Sequence, residues 1–245
     1  ETLAEVTITG TTGGNFESIS TTGAVNNTVI DDGDTTTISV NQVDEEGTVV
    51  TDDVVEGNSI TFRFSVDNVP TSNVVLQTSL GEVTIEAGKQ FVDVLVDSRA
   101  DDKYIQGEGT VLAEVTDAVG GGFENLSYAG ASSSATIVDD TDATTVTLDS
   151  VTNNQQIEEG GSIVYSVSVD SPVTESSLFV TLSNGVVIEI PVGDSTADSD
   201  PVAVRADDDQ AQGEETLAEV TITGTTGGNF ESISTTGAVN NTVID

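Results

Sequence analysis

The side chains able to do chemistry in this sequence are almost all carboxylates, and they fall in runs. Asp101 and Asp102 are followed by Glu108, then by Asp139, Asp140 and Asp142. A second set reads Asp207, Asp208, Asp209 and Glu214, and later Asp245. Asp31, Asp32 and Asp34 make a further run, and Glu45, Glu46, Glu56, Glu158 and Glu159 stand between the others. All-oxygen ligands suit a hard cation, and flexible acidic loops suit Ca2+ better than octahedral Mg2+. There is no Cys, His, Met or Trp, which removes thiol and imidazole nucleophiles, zinc sites and haem ligands. No D-x-D-x-D-G loop carries a Glu at its twelfth position, so the pattern is not an EF-hand.

The balance of the chain agrees with that chemistry. Its 43 acidic residues against five basic ones give a formal charge of −38. Such a charge repels phosphates, excluding a nucleic-acid groove and electrostatic attachment to anionic lipid. The 36% apolar content with 24 glycines is ordinary for a globular chain, so the acids form the skin of a folded protein. No apolar run approaches the ~18 residues of a membrane span. No signal peptide is visible, and a chain opening on Glu1 is expected to be a piece of something longer. The lack of cysteine fits a secreted bacterial protein.

Internal repetition organises the sequence. Residues 1–31, ETLAEVTITGTTGGNFESISTTGAVNNTVID, recur unchanged at 215–245, a spacing of 214 residues. A 31-residue identity is beyond chance, so the parent chain repeats a 214-residue unit. Inside it lies a weaker repeat of about 105–108 residues. RADD at 99–102 returns at 205–208, LAEVT at 112–116 returns at 217–221, and GGFENL around Phe123 matches GGNFESI around Phe230. The expected organisation is a C-terminal strand pair of a preceding repeat (1–31), one full domain (32–140) and a second (141–245).

The elements that must position the acids are strands. Period-2 alternation in Val, Ile, Thr and Phe predicts seven strands in the first domain, near 36–40, 59–67, 73–79, 82–86, 90–96, 109–117 and 133–138. In the second they fall near 144–150, 162–170, 178–183, 186–191, 201–205, 215–223 and 238–244. Asn184-Gly185 predicts a two-residue hairpin turn with positive φ at both positions, and Leu80-Gly81 sits at the matching place. Seven short strands without a helical period predict an all-β fold, tandem seven-strand immunoglobulin-like β-sandwiches in a linear array. With strands lettered A to G, the A–B and E–F loops and the end of strand G share one end of each sandwich, where the acid runs concentrate. Like charges ~4 Å apart repel by about 1 kcal/mol in water and about 4 at an effective dielectric near 20. Converging carboxylates would therefore splay the loops unless a cation sat among them. The expected ligands are drawn from Asp31, Asp32, Asp34, Glu56, Asp101, Asp102, Glu108, Asp139, Asp140, Asp142, Glu159, Asp207, Asp208, Glu214 and Asp245. Asp52, Asp53, Glu82, Asp194 and Asp198 read as ordinary solvated surface.

The joined motifs RADD, G-E, LAEVT, G-G-x-F-E-x-[LI] and VDDTDATTVTL, with TLSNGVVIEIPVG at 181–193, resemble the immunoglobulin-like extender repeats of giant RTX-type adhesins exported by type I secretion. A looser likeness extends to Calx-beta domains, which also place calcium between an E–F loop and acids after strand G. The resemblance covers essentially the whole chain. It implies a structural extender of a calcium-dependent adhesin or extracellular fibre on the bacterial cell surface, stiffened by Ca2+ near its linkers. Its partners would be neighbouring repeats of the same chain and neighbouring chains in a fibre, with no nucleic acid and no direct membrane insertion. The first domain departs in its longer A–B segment, Asp44 to Glu56, so which Glu is a ligand there stays open.

Other signals weigh less. Gly107-Glu108-Gly109 and Gly120-Gly121-Gly122 lack the following helix and the Lys of a phosphate loop. Asp101 with Glu108 could serve glycoside hydrolysis, but three Tyr, seven Phe and no Trp cannot line a sugar cleft. No enzyme is expected. Asn26, Asn125 and Asn240 open N-glycosylation sequons that read as turn polarity. Arg99 and Arg205 are expected to pair with neighbouring carboxylates. A Thr-rich ice-binding face would need a regular ladder that these strands lack. The alternative function is a ligand-binding adhesive module, which would show an irregular insertion in one copy. For residues 1–31, a lone two-stranded pair marginal in water, two readings stand: a window on a longer array, or strand donation to another molecule.

Overall fold

The computed structural model describes residues 1–245, and every regular element in it is a strand. No helix is long and apolar enough to cross a membrane. The alternation read in the sequence is the alternation of burial. Along Thr35–Val43, Thr36, Ile38 and Val40 point inward while Thr35, Thr37 and Ser39 stay exposed. Ser59–Val66 likewise buries Ile60, Phe62, Phe64 and Val66. Burying a side chain of this size contributes about 1.5–3 kcal/mol, so a one-residue slip in register would forfeit the whole face.

The first repeat has two sheets. One runs in the order Asn125–Ser127, Thr35–Val43, Ser59–Val66, Phe91–Asp97. The other runs Val54–Val55, Ser132–Val138, Gly109–Gly120, Val74–Thr78, Gly81–Ile85. The second repeat has the same plan in shorter pieces. Thr196–Asp198, Ser166–Val169, Ala143–Asp149 and Ser232–Thr236 form one sheet, and Val187–Ile190, Leu178–Leu182, Val220–Gly227 and Ala238–Val239 another. Three- and two-stranded patches complete it: Gln156–Glu158, Thr242–Ile244 and Glu215–Thr216, and Ser162–Ile163 with Val202–Ala203. These are tandem immunoglobulin-like β-sandwiches.

Three local expectations are corrected. Around Asn184-Gly185 the loop has three residues, not two: Leu182 N–H donates to Val186 O at 2.8 Å and Gly185 N–H to Leu182 O at 3.0 Å. Only Gly185 of the pair has positive φ, at 86°, the pattern of a type I turn closed by a bulge. Residues 162–170 are not one strand. The edge facing them breaks at Pro201, which has no N–H to donate, and the chain there bonds through Ser199 to Tyr165 instead, at 2.8 and 3.0 Å. Short parallel strands at Asn125–Ser127 and Ser232–Thr236 escape the alternation altogether. They lie beside Thr35–Thr37 and Ala143–Thr147.

Two compact units divide the chain, one of residues 1–41, 62–94 and 113–133, the other of residues 42–61, 95–112 and 134–245. The second unit thus joins the acid-rich end of the first repeat to the whole of the second repeat. In the first unit, every residue from Glu1 to Thr35 is exposed. Residues 1–31 hold only their own strand pair, Val6–Thr7 against Ala24–Val25.

Candidate metal centre

The acid-rich end of the first repeat is built around Arg99. Its Nε donates to Glu56 Oε2 at 2.5 Å, Nη1 donates to the Gly107 carbonyl at 2.5 Å, and Nη2 bonds Asp139 Oδ1. One guanidinium therefore ties the A–B segment, the E–F loop and the end of strand G together. The expected pairing of the two arginines with neighbouring carboxylates is what the structure has. Asp139 Oδ2 also accepts the Gln106 N–H at 2.9 Å. Asp102 caps the loop from within, taking the Tyr104 N–H at 2.8 Å and the Gln106 amide. Gly57 makes the turn beside Glu56, with φ +74° and a hypothetical Cβ only 2.8 Å from Asp101 Cβ. A side chain there would be strained and would collide.

Glu56 is 2% exposed, and its second oxygen, Oε1, has no hydrogen-bond partner. Around it the carboxylates of Asp101 and Asp140 converge to within 4.8 Å, and so do those of Asp139 and Glu231. Glu231 Oε2 accepts the Asp142 N–H at 2.7 Å, and its other oxygen is buried without a partner. Five carboxylates thus gather at this corner, and the Arg99 guanidinium pairs with two of them, Glu56 and Asp139. Desolvation, then the charges of Asp101, Asp142 and Glu56, hold the Asp140 carboxyl above its ordinary range. Glu231 is raised by desolvation first and then by Asp140, Glu56 and Asp142, partly opposed by its bond from the Asp142 N–H. Two inward oxygens without donors amid unneutralised carboxylates fit a hard cation.

The second repeat reproduces the frame. Arg205 donates through Nε to Glu159 Oε2 at 3.0 Å and through Nη1 to the Gly213 carbonyl at 3.0 Å, and lies 3.7 Å from Asp245. Gln212 N–H donates to Asp245 Oδ2 at 2.8 Å. Asp208 accepts from the Gln210 N–H and the Gln212 amide, both at 2.6 Å. Gly160, with φ +74°, stands against Asp207 as Gly57 does against Asp101. Glu159 is therefore the structural counterpart of Glu56. Glu45 and Glu46 sit on an exposed turn closed by Asp44 and Thr48.

Of the candidate ligands, the structure gathers Glu56, Asp101, Asp139 and Asp140, with Asp142 beside them. Asp102 and Asp208 are spent on loop hydrogen bonds. Glu108 is exposed and outside both groups, and Glu214 accepts from Gln156 at 3.2 Å. Asp31 and Asp32 are exposed, and Asp34 N–H donates to Glu124 Oε2 at 2.8 Å. Glu159 and Asp245 frame Arg205, Asp207 stands against Gly160, and the three do not converge as a group. Glu231 is absent from the expected ligands. The signal that could have found it is the G-G-x-F-E motif, which sets Glu124 and Glu231 at matching positions.

The same unit contains a direct joint between E–F loop and second repeat. Ile105 N–H donates to Asn229 O and Glu231 N–H to Lys103 O, at 3.0 and 3.1 Å, and Asn229 Nδ2 donates to the Ile105 carbonyl at 2.9 Å. Tyr104 stacks on Phe230 with ring centroids 5.4 Å apart, and its hydroxyl donates to Pro172 O at 2.7 Å. It packs against the buried core of the second repeat. Lys103 Nζ lies 3.0 Å from Asp170 Oδ2 and holds that carboxyl below its usual range. Such a stack adds roughly 0.5–1.5 kcal/mol beyond the area it buries, and the exposed ion pair at most about 1 kcal/mol.

Tandem sandwiches joined through acid-rich loops define a repeat protein whose site lies at the joint. Residues 34–141 and 142–245 each match the LapA domain family, and the chain belongs to that family of large-adhesin repeats. No curated protein matches the chain as a relative. Among solved structures, it is similar to one described as a 1.5-MDa bacterial ice-binding adhesin, in work on its host cell surface retention. That match has 19% identity and a TM-score of 0.28, covering 91% of this chain and 69% of that one. Fibronectin(III)-like modules of Clostridium thermocellum CbhA align at 10% identity and TM-score 0.24, covering 84% and 93%. A two-domain protein of Bacteroides fragilis aligns at 9% and 0.30, also covering 84% and 93%.

Proposed function

We propose that this chain is a structural extender of a bacterial surface adhesin, a non-catalytic stalk segment outside the cell whose joints are rigidified by Ca2+. The observation that carries this reading is Glu56: a buried carboxylate with one oxygen on Arg99 and the other without a donor. It faces Asp101 and Asp140 on one side and Asp139 and Glu231 on the other. Because Glu231 comes from the second repeat, an ion held there would tie two repeats together. Glu56, Asp139 and Glu231 would hold it, with Asp101 and Asp140 grouped on Glu56 beside them, and the bound ion would supply neutralisation of their mutual repulsion. Arg99 anchors both Glu56 and Asp139. Family membership supports the adhesin setting.

Calcium titration followed by thermal melting tests the proposal. Binding to the folded state alone stabilises by about 2.7 kcal/mol at a hundredfold excess over Kd. Millimolar Ca2+ is expected to raise the melting temperature well above that in chelator, and Glu56→Gln to abolish most of the rise. If Mg2+ or NaCl reproduced the whole rise, screening of the −38 charge would explain it and the specific site would be rejected.

A further inference from the structure

The E–F loops of the two repeats share one frame but not one tip. Residues 99–108 read RADDKYIQGE and residues 205–214 read RADDDQAQGE. The framing residues hold equivalent bonds in both: Arg99 and Arg205 to a glutamate and a glycine carbonyl, Gln106 and Gln212 to the aspartate ending strand G. The three residues that differ, Lys103, Tyr104 and Ile105, are the ones that touch the next repeat. Their counterparts are Asp209, Gln210 and Ala211.

The receiving surface, by contrast, is present in large part on both repeats, although Gly122 stands at the place of Asn229 and has no side chain to bond the incoming loop. Glu231 accepts the Asp142 N–H as Glu124 accepts the Asp34 N–H. Asp170 accepts the Thr145 N–H as Asp67 accepts the Thr37 N–H, and Phe123 stands at the place of Phe230. The identity of 1–31 with 215–245 makes the sequence after Asp31 the continuation of a second-type repeat, so each second-type loop meets a first-type surface. There Asp209 would face Asp67, a like charge in place of the Lys103–Asp170 pair, and Phe123 would meet no ring.

We propose that the array alternates two unlike joints: a lock from first-type to second-type repeat, made by Lys103 and Tyr104 on Asp170, Pro172 and Phe230 without an ion, and a hinge from second-type to first-type repeat. Articulation then recurs once per 214-residue unit, and the rigid element is a pair of sandwiches. The lock consists of contacts that are complete without the carboxylate cluster, so it orders this joint before any cation binds there, and Ca2+ held by the cluster would stiffen it further.

The test is a chain in which residues 32–140 follow Asp245, carrying both joints in one molecule. The absence of native cysteine lets spin labels be placed at Glu82→Cys, Glu189→Cys and the appended copy of Glu82→Cys, two at a time. Distances are measured by pulsed electron paramagnetic resonance in chelator, so that the result does not depend on the calcium reading. A narrow distribution is expected across the first joint and a broad one across the second. Equal widths across the two, whether both narrow or both broad, overturn the proposal. The loop exchange Lys103→Asp, Tyr104→Gln, Ile105→Ala should cost the first joint its narrow peak. The reciprocal Asp209→Lys, Gln210→Tyr, Ala211→Ile should give the second joint one, a gain of order that misfolding cannot mimic. If the second joint stayed broad in that reciprocal chain, the lock would not reside in these side chains.

Discussion

Arg99 and Glu56 form an ion pair that neither satisfies nor neutralises its surroundings: Nε donates to one carboxylate oxygen at 2.5 Å while the other, equally buried, accepts nothing. Glu159 meets Arg205 at 3.0 Å, but its other oxygen accepts the Asp208 N–H at 3.5 Å. Arg99 thus engages only one oxygen of the Glu56 carboxylate. It fixes the direction of the carboxylate and leaves half its acceptor capacity pointing at Asp101 and Asp140.

Removing the arginine should therefore be costly in one condition and milder in another. Breaking a buried pair from one side costs roughly 3–5 kcal/mol because the remaining charge is stranded. Arg99→Met is expected to lose about that much in chelator and distinctly less in millimolar Ca2+, read from denaturant unfolding. An equal loss in both conditions would mean that Glu56 is not shared with a cation.

Gly57 offers a second handle on the same corner. Gly57→Ala meets both a positive φ and Asp101 Cβ at 2.8 Å, whereas Gly130→Ala meets a similar φ, +77°, with open space. The φ penalty alone is about 1–2 kcal/mol. Gly130→Ala should show that much, and Gly57→Ala should add a loss of calcium response because Asp101 must move. Were the two variants alike in both stability and calcium response, Asp101 would not belong to the site.

Acidity should act in opposite directions on two sets of carboxylates. Asp140 and Glu231 are held above their ordinary range, so at these groups the folded chain binds protons more tightly than the unfolded one. Stability then falls as pH rises through that range. Asp93 and Asp170 are held low, by hydrogen bonds from Arg63 and Lys103 respectively. Their contribution is present above the unfolded pKa and is lost only as pH falls through the depressed one. In chelator, mild acidification from neutrality should raise the melting temperature before stronger acid lowers it. Glu231→Gln should flatten the early rise, and saturating Ca2+ should remove it because ligating carboxylates stay deprotonated. A steady fall from neutrality in chelator would contradict this assignment.

How much was legible follows from what each feature depends on. Strands such as Thr35–Val43 and Ser59–Val66 were readable because one face is buried and the period is unbroken. The segment around Ser232–Thr236 was not, since SISTT alternates no hydrophobes and owes its strand state to pairing with Ala143–Thr147. Topology alone placed Glu56, Asp101 and Asp139 at one end, because loops on alternate strands share an end. Glu231 lay beyond that logic, since it arrives from the opposite end of the next repeat. Tyr104 was invisible for the same reason: its value lies in Phe230, 126 residues away, and no local pattern encodes that meeting.

Residues 1–31 and 215–245 put one sequence in two environments. The pairing register is the same in both, Val6 with Val25 and Val220 with Val239. What differs is cover. Val6 and Val25 are 67% and 58% exposed, against 7% and 2% for Val220 and Val239. Each burial contributes about 1.5–3 kcal/mol, and a lone two-stranded pair is marginal in water. Amides of the first copy should therefore exchange almost freely, and those of the second only through opening of the sandwich. Peptides spanning Val6–Val25 and Val220–Val239 have identical mass, so hydrogen-exchange mass spectrometry will superimpose them. The isotope envelope should split into two equal populations, one exchanged at once and one protected. Deleting residues 1–31 should remove the fast half and leave the melting temperature of the remainder unchanged. A single protected envelope in the intact chain would show that the first copy finds cover, as it would if it completed the sheet of another molecule, and rising protein concentration should then convert fast to slow.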